Sequence, residues 1–293
     1  MESTANKSSG LLQKARNYLA ENTPNFQYWV KRIGLKRACI LSPAENCGYY
    51  CISESFGFKA REIARLFETK EFWYNTISKA FEWQCFSKDF NELDKFSRFF
   101  PDDFFSSVNK IFFLPFFDRN EPQVFVTIEF EKDTDIVLPE AHEAAIMLGN
   151  IYEFKNNEKK IISKLECDIS VGLDISNSRL YILSLKNCIE NELKDIPYPS
   201  EEIKQNTVQF LTENAQTLIS HLFRSPNCGH SGLNGEVKIA LYAKDAPEEQ
   251  LLAHHIGHTL TNLFEEESTA NILLLPAGEV TNIGGTVTFL TKG

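Results

Sequence analysis

The first half of the chain contains two pairs of apolar segments, and each pair predicts a β-hairpin. Residues 37–41 and 49–55 are separated by Ser42-Pro-Ala-Glu-Asn-Cys-Gly48, a segment rich in turn-forming residues. Residues 110–117 and 123–131 form the clearer pair, because the second member alternates between two sets of side chains, as a strand does. We therefore expect antiparallel strands in this half of the protein.

Apolar residues recur at helical spacing in three further segments. Residues 10–20 and 59–67 carry short patterns of this kind. A longer pattern covers residues 140–165 and follows Pro139, which a helix tolerates at its first turn because the missing N–H needs no partner there. We expect this segment to be one connector helix. An apolar stripe left exposed on it would pair with a second copy of the chain, because burial of apolar surface is favourable.

The second half predicts the order β-α-β-α-β-β, which is typical of an α+β sandwich with helices on one face of a sheet. The expected strands are 179–186, 237–243, 271–275 and 286–291, and the expected helices are 201–223 and 247–264. The chain is therefore assigned to the α+β class, as two mixed domains with antiparallel-rich sheets joined by a long helix. The expected segments are an N-terminal tail and helix at 1–24, a first domain at 25–138, the connector at 139–167 and a second domain at 168–293.

Composition and charge argue against several classes of protein. Hydrophobic residues make up 43% of the chain and no apolar run approaches the roughly 20 residues that span a membrane. The polar start, Met1 to Gly10, lacks the pattern of a signal peptide. The net charge of −10 argues against a protein that binds the nucleic-acid backbone. The 7 cysteines are odd in number and contain no CxxC pair, which indicates reduced thiols and a cytoplasmic location.

Phenylalanine is concentrated in one region of the chain. Sixteen of the 24 phenylalanines lie between Phe67 and Phe130. We expect them to form a large aromatic core. The alternative is a cavity lined by aromatic side chains, because apolar ligand pockets are built from the same residue types.

The segment Leu233-Asn-Gly-Glu-Val237 places a glycine turn and one glutamate between a long helix and an apolar strand. Together with the expected strand at 180–185 and the elements that follow, residues 168–293 resemble the GGDEF domain, the diguanylate cyclase fold of bacterial signalling. In that family the turn is Gly-Gly-Asp/Glu-Glu-Phe, and its acidic residues bind the metal and act at the reacting hydroxyl. Two carboxylates are needed because divalent cations must be held against a triphosphate.

This sequence departs from the GGDEF pattern in the turn itself. Glu236 falls at the second acidic position, but Gly235 stands at the first. Leu233 replaces the first glycine and Val237 replaces the aromatic residue. One glutamate without its acidic neighbour cannot hold two cations.

The other acidic positions of the GGDEF pattern are changed as well. At the end of the first strand, where the family has its other metal carboxylate, this chain has Ser184 or Lys186. The nearest match to the inhibitory Arg-x-x-Asp pair is Arg224-Ser-Pro-Asn227, which lacks the acid and is out of register. The resemblance therefore implies a degenerate, catalytically inactive domain with no catalytic residues and no metal ligands.

The first domain resembles a GAF-type sensor domain over about residues 25–135. The resemblance rests on the hairpin in Arg37–Phe58 (RACILSPAENCGYYCISESFGF) and on Lys110–Phe130 (KIFFLPFFDRNEPQVFVTIEF), where a Pro-containing strand precedes a turn and a second apolar strand. PAS and other mixed sensor folds have a similar pattern. Nothing matches the cyclic-nucleotide motifs of GAF domains, so no ligand carries over and the cofactor-binding residues are unknown.

A competing enzyme hypothesis comes from an HHxxH stretch. His254 and His258 are four residues apart on an expected helix and share a face, as in the HExxH zinc motif. That motif needs a glutamate where His255 stands, and no spacing rule supports Cys228 or His230 as a third ligand. We therefore expect no metal site here and keep a metal-dependent hydrolase as an alternative.

A pair of cysteines lies at the first expected hairpin. Cys47 and Cys51 flank Gly48-Tyr-Tyr50. A redox or metal role is one interpretation. We expect instead that these thiols are buried as small apolar groups.

Together these patterns predict a non-enzymatic intracellular protein of bacterial signalling, or a scaffold. Its GAF-like half would sense or bind, its degenerate GGDEF-like half would bind, and a ligand would shift the population of conformations. The alternative is a receptor for a guanine nucleotide or a cyclic dinucleotide without turnover. We expect a protein partner or a homodimer through the connector helix, with no cofactor, no nucleic acid and no membrane span.

Overall fold

The computed structural model describes residues 25–44, 47–76, 81–118, 121–132, 136–151, 178–222, 228–242, 249–270, 272–283 and 286–291. These residues fall into two compact units. The first lies within Pro24–Asn156 and Asp195–Thr207, and the second lies within Asn157–Lys194 and Val208–Gly293. The fold class is α+β, and every strand pairing in the described residues is antiparallel. The predicted helix at 10–20 lies outside the described residues.

The first unit is built on a six-stranded sheet in the order β3-β2-β1-β6-β5-β4. Its strands are β1 Ala38–Pro43, β2 Tyr49–Phe56, β3 Phe67–Thr69, β4 Gln84–Ser87, β5 Val108–Asp118 and β6 Glu121–Phe130. Its helices are α1 Phe26–Arg32, α2 Ala60–Ile63, α3 Lys70–Thr76, α4 Asp102–Ser106 and α5 (141–151), with 3-10 helices at Lys88–Phe90 and Asp94–Phe99. Both predicted hairpins are confirmed as β1–β2 and β5–β6.

One prediction in this unit is wrong in part. The helix expected at 59–67 is limited to α2, and the chain then forms β3, which pairs with β2. Helical spacing in so short a segment does not decide against a strand, because the pairing with a neighbouring strand supplies hydrogen bonds that the pattern does not show.

Both faces of the first sheet are covered, which explains why β6 is buried along almost its whole length. Ile40 and Phe125 are paired across β1 and β6 and point to the side of α1 and α5. Cys39 and Val126 form the next pair and point to the opposite side. The core on the α1 and α5 side contains Phe26, Trp29, Val30, Leu35, Ala38, Ile40, Leu114, Phe116, Phe125, Ala144, Ala145, Leu148 and Ile151.

The described part of the expected connector helix is α5, and its apolar stripe points inward. Ala145, Leu148 and Ile151 are buried in the core of the first unit. The indole N–H of Trp83 donates to the carbonyl of Pro139 (2.9 Å), which fixes the chain just before the helix. These three residues are covered by the chain's own sheet, so the exposed stripe on which pairing with a second chain would depend is not formed by them. Residues 152–165 of the expected connector lie outside the described residues.

We expect Ile151→Asp to destabilise the first unit and not to separate a dimer. Ile151 is 3% exposed, and an unpaired carboxylate placed there should cost on the order of 4 kcal/mol in the free energy of unfolding. Urea denaturation followed by circular dichroism measures this loss, and light scattering measures the mass. Asn150→Asp is the control because Asn150 is exposed on the same turn. A folded Ile151→Asp variant with half the mass of the parent would contradict the buried stripe.

The other face of the first sheet carries the predicted aromatic core. Trp73 packs edge to face on Phe113 (ring centroids 5.3 Å apart) and is stacked on Phe99 (6.0 Å). Phe96 lies 5.1 Å from both Phe86 and Phe113. Such ring pairs stabilise a core beyond the area they bury. This face of the sheet explains part of the concentration of phenylalanine in the sequence, and Phe116 and Phe125 lie in the core on the opposite face.

Glu129 is a buried carboxyl group in this sheet, and its surroundings favour the ionised form. Its Oε1 lies 2.9 Å from Nζ of Lys110 and accepts a hydrogen bond from Nδ2 of Asn109 (2.9 Å). Its Oε2 accepts the N–H of Ile136 (3.0 Å). Burial by itself raises the pKa of this carboxyl, but these donors together hold the pKa below its ordinary value.

The lowered pKa of Glu129 predicts how stability changes with pH. A carboxyl with a folded pKa below its unfolded value of about 4.3 stabilises the fold above that pH. The stability is lost as the pH falls through the folded pKa. Glu129→Gln should therefore cost about 1–3 kcal/mol at pH 7, and the difference from the parent should shrink at acid pH. Urea titrations at pH 7 and pH 3 measure it, with the exposed Glu71→Gln as control. A difference that is equal at both pH values would contradict the role of the charge.

The second unit is built on a five-stranded sheet in the order β11-β10-β7-β9-β8. Its strands are β7 Ser178–Ser184, β8 Cys228–Leu233, β9 Glu236–Tyr242, β10 Leu273–Ile283 and β11 Thr286–Thr291. Its helices are α6 Lys186–Leu193, α7 Glu201–Leu222, α8 Glu249–Leu260 and α9 Glu266–Thr269, where α7 up to Thr207 belongs to the first unit. From β7 to β10 the elements follow the split β-α-β-β-α-β arrangement, with β7 and β9 in the middle.

The predicted elements of the second half are found, but three more are present. Helix α7 and strands β7, β9 and β11 match their predicted positions to within about two residues, and α8 lies inside the helix expected at 247–264. Helices α6 and α9 and strand β8 were not predicted, and β10 is longer than the strand expected at 271–275. The predicted order β-α-β-α-β-β is therefore incomplete.

One face of the second sheet is buried and the other is more open. Leu183 and Val237 are a buried cross-strand pair, and Tyr181 and Ile239 form the next buried pair on the same face. On the opposite face Leu275, which is paired with Ile182, is 51% exposed. Within the residues that the structure describes, no helix has the length and apolarity needed to cross a bilayer.

Candidate functional site

The β8–β9 turn is the segment that resembles the GGDEF turn, and it is a two-residue hairpin. Leu233 and Glu236 are paired, so Asn234 and Gly235 alone form the loop. Their φ angles are 49° and 81°, both in the left-handed region. Asn-Gly is the favoured pair for such a type I′ turn, because asparagine and glycine tolerate positive φ and the turn matches the twist of the strands.

Three hydrogen bonds hold this turn in place. The N–H of Gly235 donates to Oγ1 of Thr212 (2.9 Å), and the N–H of Asn234 donates to Oε1 of Gln209 (3.2 Å). The N–H of Leu185 donates to the carbonyl of Gly235 (2.7 Å). The turn is thus tied to α7 on one side and to the end of β7 on the other.

The carboxylate that the turn presents is paired with a lysine. Oε1 of Glu236 lies 2.9 Å from Nζ of Lys186, and both side chains are partly exposed. Strand pairing places Ser184 directly opposite Glu236, so the end of β7 does lie beside the turn, as the resemblance requires. At this end of β7 the chain has the hydroxyl of Ser184, followed by the ammonium group of Lys186. A positive charge at this place opposes a divalent cation by simple Coulomb repulsion.

Sequence reasoning missed the two side chains that hold the turn. Gln209 and Thr212 are three residues apart on α7, so they lie on the same side of the helix. Thr212 is fully buried, and its hydroxyl also donates to the carbonyl of Val208 (2.7 Å). In the sequence, these two polar residues lie beside the apolar positions Leu211 and Ala215 of the same helix. That pattern could have indicated a helix whose polar side chains bind a loop.

The HHxxH stretch lies on α8 with its imidazoles in solvent. His254, His255 and His258 are exposed, and the rings of His254 and His255 are 6.1 Å apart. Across the part of the chain that the structure describes, no three His, Cys, Asp or Glu side chains come together as metal ligands. The side chains of Cys228 and His230 in β8, and the segment Arg224–Asn227, lie outside the described residues.

The cysteines at the first hairpin are half-buried thiols. Burial, with smaller effects of Cys47 and Glu202, raises the pKa of Cys51 to about 12. Burial also raises the pKa of Cys39, which is completely enclosed. Thiols of this kind stay protonated at neutral pH and are poor nucleophiles and metal ligands. For Cys51, this favours the expected role as a small apolar group over a redox or metal role.

Comparisons with known proteins do not identify a family for this chain. Neither a protein-family model, nor a curated protein, nor a solved structure matches it. The resemblances to GAF and GGDEF domains therefore stay predictions, and so does the division at residues 25–138, 139–167 and 168–293. The chemistry of the β8–β9 turn has to be argued from its own residues.

We expect Gly235→Ala and Gly257→Ala to have opposite effects on stability. At Gly235 the φ of 81° costs an alanine about 1–2 kcal/mol, and its Cβ would lie 3.2 Å from Cγ of Lys186. Gly257 lies inside α8 with no neighbour within 4 Å of an added Cβ, so alanine there should stabilise by about 1 kcal/mol. Denaturant titrations of the two variants measure both changes. Equal changes of the same sign would argue against the type I′ turn.

Proposed function

We propose that this chain is a non-catalytic signalling or scaffold protein. Its first half would sense or bind in the manner of a GAF domain, and its second half would serve as a degenerate GGDEF-like binding domain. The observation that carries the proposal is the ion pair between Lys186 and Glu236 at the β8–β9 turn. It lies where a cyclase would need a second carboxylate.

The chemistry of phosphoryl transfer explains why this pair matters. Cyclisation of a nucleoside triphosphate needs cations that neutralise the phosphates and activate the attacking hydroxyl. One carboxylate holds such ions weakly, and the Lys186 ammonium group offsets its charge. Ser184, opposite Glu236 in the sheet, adds a neutral hydroxyl. In this proposal the turn corresponds to the cyclase turn but lacks the negative charge that the reaction requires.

The turn is nevertheless rigidly built, which favours a binding role over a vestigial loop. The two hydrogen bonds from its N–H groups to Thr212 and Gln209 keep Glu236 and Lys186 at a fixed edge of the second unit. A fixed, partly exposed pair of opposite charges suits recognition of a partner by complementary charge. We extend the proposal to a protein partner or a second copy of the chain and to a cytoplasmic location, supported by the free thiols among the described cysteines.

Incubation of the purified protein with GTP and Mg²⁺ or Mn²⁺ tests the proposal. We expect no cyclic dinucleotide, and the same result for Glu236→Gln, because the parent site already lacks the carboxylates that hold the metal. Separation of the products by chromatography measures the outcome. Turnover by the parent that disappears in Glu236→Gln would contradict the proposal and show that one carboxylate is enough.

Two further measurements separate the alternatives. Saturable binding of labelled GTP or a cyclic dinucleotide, without turnover, would favour the receptor. Stoichiometric zinc in the purified protein, lost in His258→Ala but not in a variant of the exposed neighbour His255, would favour the metal-dependent hydrolase. A protein that binds no labelled nucleotide and contains no stoichiometric zinc would favour the scaffold interpretation.

A further inference from the structure

The loop of the β8–β9 turn is the one Asn-Gly pair in the sequence, Asn234 and Gly235. Asn234 is exposed, whereas Gly235 is buried. Asparagine followed by glycine is chemically unstable in water, because the backbone nitrogen of the glycine can attack the side-chain amide and no Cβ on the glycine obstructs it. The pair that shapes this hairpin is therefore also a reactive one.

The reaction of this pair is deamidation through a ring intermediate. The nitrogen of Gly235 gives its proton to solvent and bonds to Cγ of Asn234. The bond from Cγ to Nδ2 breaks, and the amide nitrogen takes a proton from solvent and leaves as ammonia. Water then opens the resulting succinimide ring at either of its two carbonyl carbons, which yields aspartate or isoaspartate in place of Asn234. The net change is the uptake of water and the loss of ammonia, with no oxidation or reduction.

The backbone conformation of Asn234 opposes this attack in the folded turn. Its φ of 49° lies in the left-handed region, which places Cβ close to the residue's own carbonyl oxygen. The carbonyl oxygen and the following nitrogen lie on opposite sides of the planar carbonyl carbon, so Cβ is held away from the nitrogen of Gly235. Ring closure needs Cβ and that nitrogen on the same side. Asn234 must therefore leave the left-handed conformation before it can react.

Two side chains of α7 hold Asn234 in that conformation and shield the attacking nitrogen. The N–H of Asn234 donates to Oε1 of Gln209 (3.2 Å), and the N–H of Gly235 donates to Oγ1 of Thr212 (2.9 Å). The hydroxyl proton of Thr212 is itself donated to the carbonyl of Val208 (2.7 Å), so this hydroxyl acts towards Gly235 as an acceptor. A hydroxyl is too weak a base to remove an amide proton. The nitrogen of Gly235 is therefore kept protonated and away from solvent.

We propose that Asn234 is a site of spontaneous deamidation and that Gln209 and Thr212 determine how fast it reacts. The modification occurs when the turn opens from α7, and it places a new carboxylate two residues before Glu236. Isoaspartate also lengthens the main chain by one methylene group, which a two-residue loop cannot accept without a change in the pairing of Leu233 with Glu236. The proposal depends on the chemistry of the turn alone, and it holds whether or not the second unit is catalytically inactive.

Incubation of the full chain at mildly alkaline pH, followed by digestion and mass spectrometry of the peptide that contains Asn234, tests the proposal. The folded parent, folded Thr212→Val and the parent unfolded in urea are compared over time. We expect Thr212→Val to react roughly fivefold faster than the parent, because a buried N–H without its acceptor makes opening of the turn easier. The unfolded chain should react fastest. Both aspartate and isoaspartate should be found, since the ring opens at either carbonyl.

Thr217→Val is the matched control, because Thr217 is an exposed residue of the same helix whose hydroxyl donates to the carbonyl of Glu213 (2.9 Å). Its reaction rate should equal that of the parent. Circular dichroism shows whether each variant is folded. If Thr212→Val fails to fold, Gln209→Ala removes the other acceptor of the turn and should show a gain in the same direction.

Four results would overturn the proposal. The first is a folded parent that reacts as fast as the unfolded chain, and the second is an unfolded chain that does not react. The third is a gain in Thr217→Val equal to that in Thr212→Val, or no gain in the folded variant of Thr212 or Gln209. The fourth is aspartate without isoaspartate, which would show direct hydrolysis of the amide in place of the ring.

Discussion

The pairing of β1 with β6 determines the layout of the first unit. Ala38 and Thr127 are opposite each other, and the hydroxyl of Thr127 donates to the carbonyl of Arg37 (2.7 Å), 90 residues away in the chain. This register sends Ile40 and Phe125 towards α1 and α5, and their neighbours towards the aromatic face. A slip by one residue would exchange the two faces. The packing of the inward stripe of α5 and the aromatic core on the opposite face both depend on that choice.

In the second unit, the shape of the β8–β9 turn does not depend on the acidic side chain beside it. The backbone N–H groups of Asn234 and Gly235 hold the turn, with acceptors from Gln209 and Thr212. None of these contacts needs a carboxylate. The shape of the turn therefore rests on residues other than Glu236. This separation is why a family pattern in the layout of elements does not by itself establish an activity.

The elements that could be predicted from the sequence are those whose pattern is carried by residues close together in the chain. The hairpin β5–β6 was predicted because the alternation of its side chains is carried by neighbouring residues. Strand β8 was missed because CGHSGL contains two glycines and little apolar surface, and it is a strand through its pairing with β9. In the same way, the contact of Arg98 with Glu68 joins a 3-10 helix to a three-residue strand. Neither the strand nor that contact has a periodic pattern.

Helix α5 was predicted from its pattern, but the surface that covers its apolar face was not. Its apolar residues recur at helical spacing, which correctly predicts a helix with one apolar face. The pattern does not say what covers that face, and both a second chain and the protein's own sheet satisfy it. Burial against the sheet of the same chain carries no loss of the translational and rotational freedom that association costs. Because Leu114, Phe116 and Phe125 already present an apolar surface within the unit, the intramolecular solution prevails, and Ala145, Leu148 and Ile151 pack there.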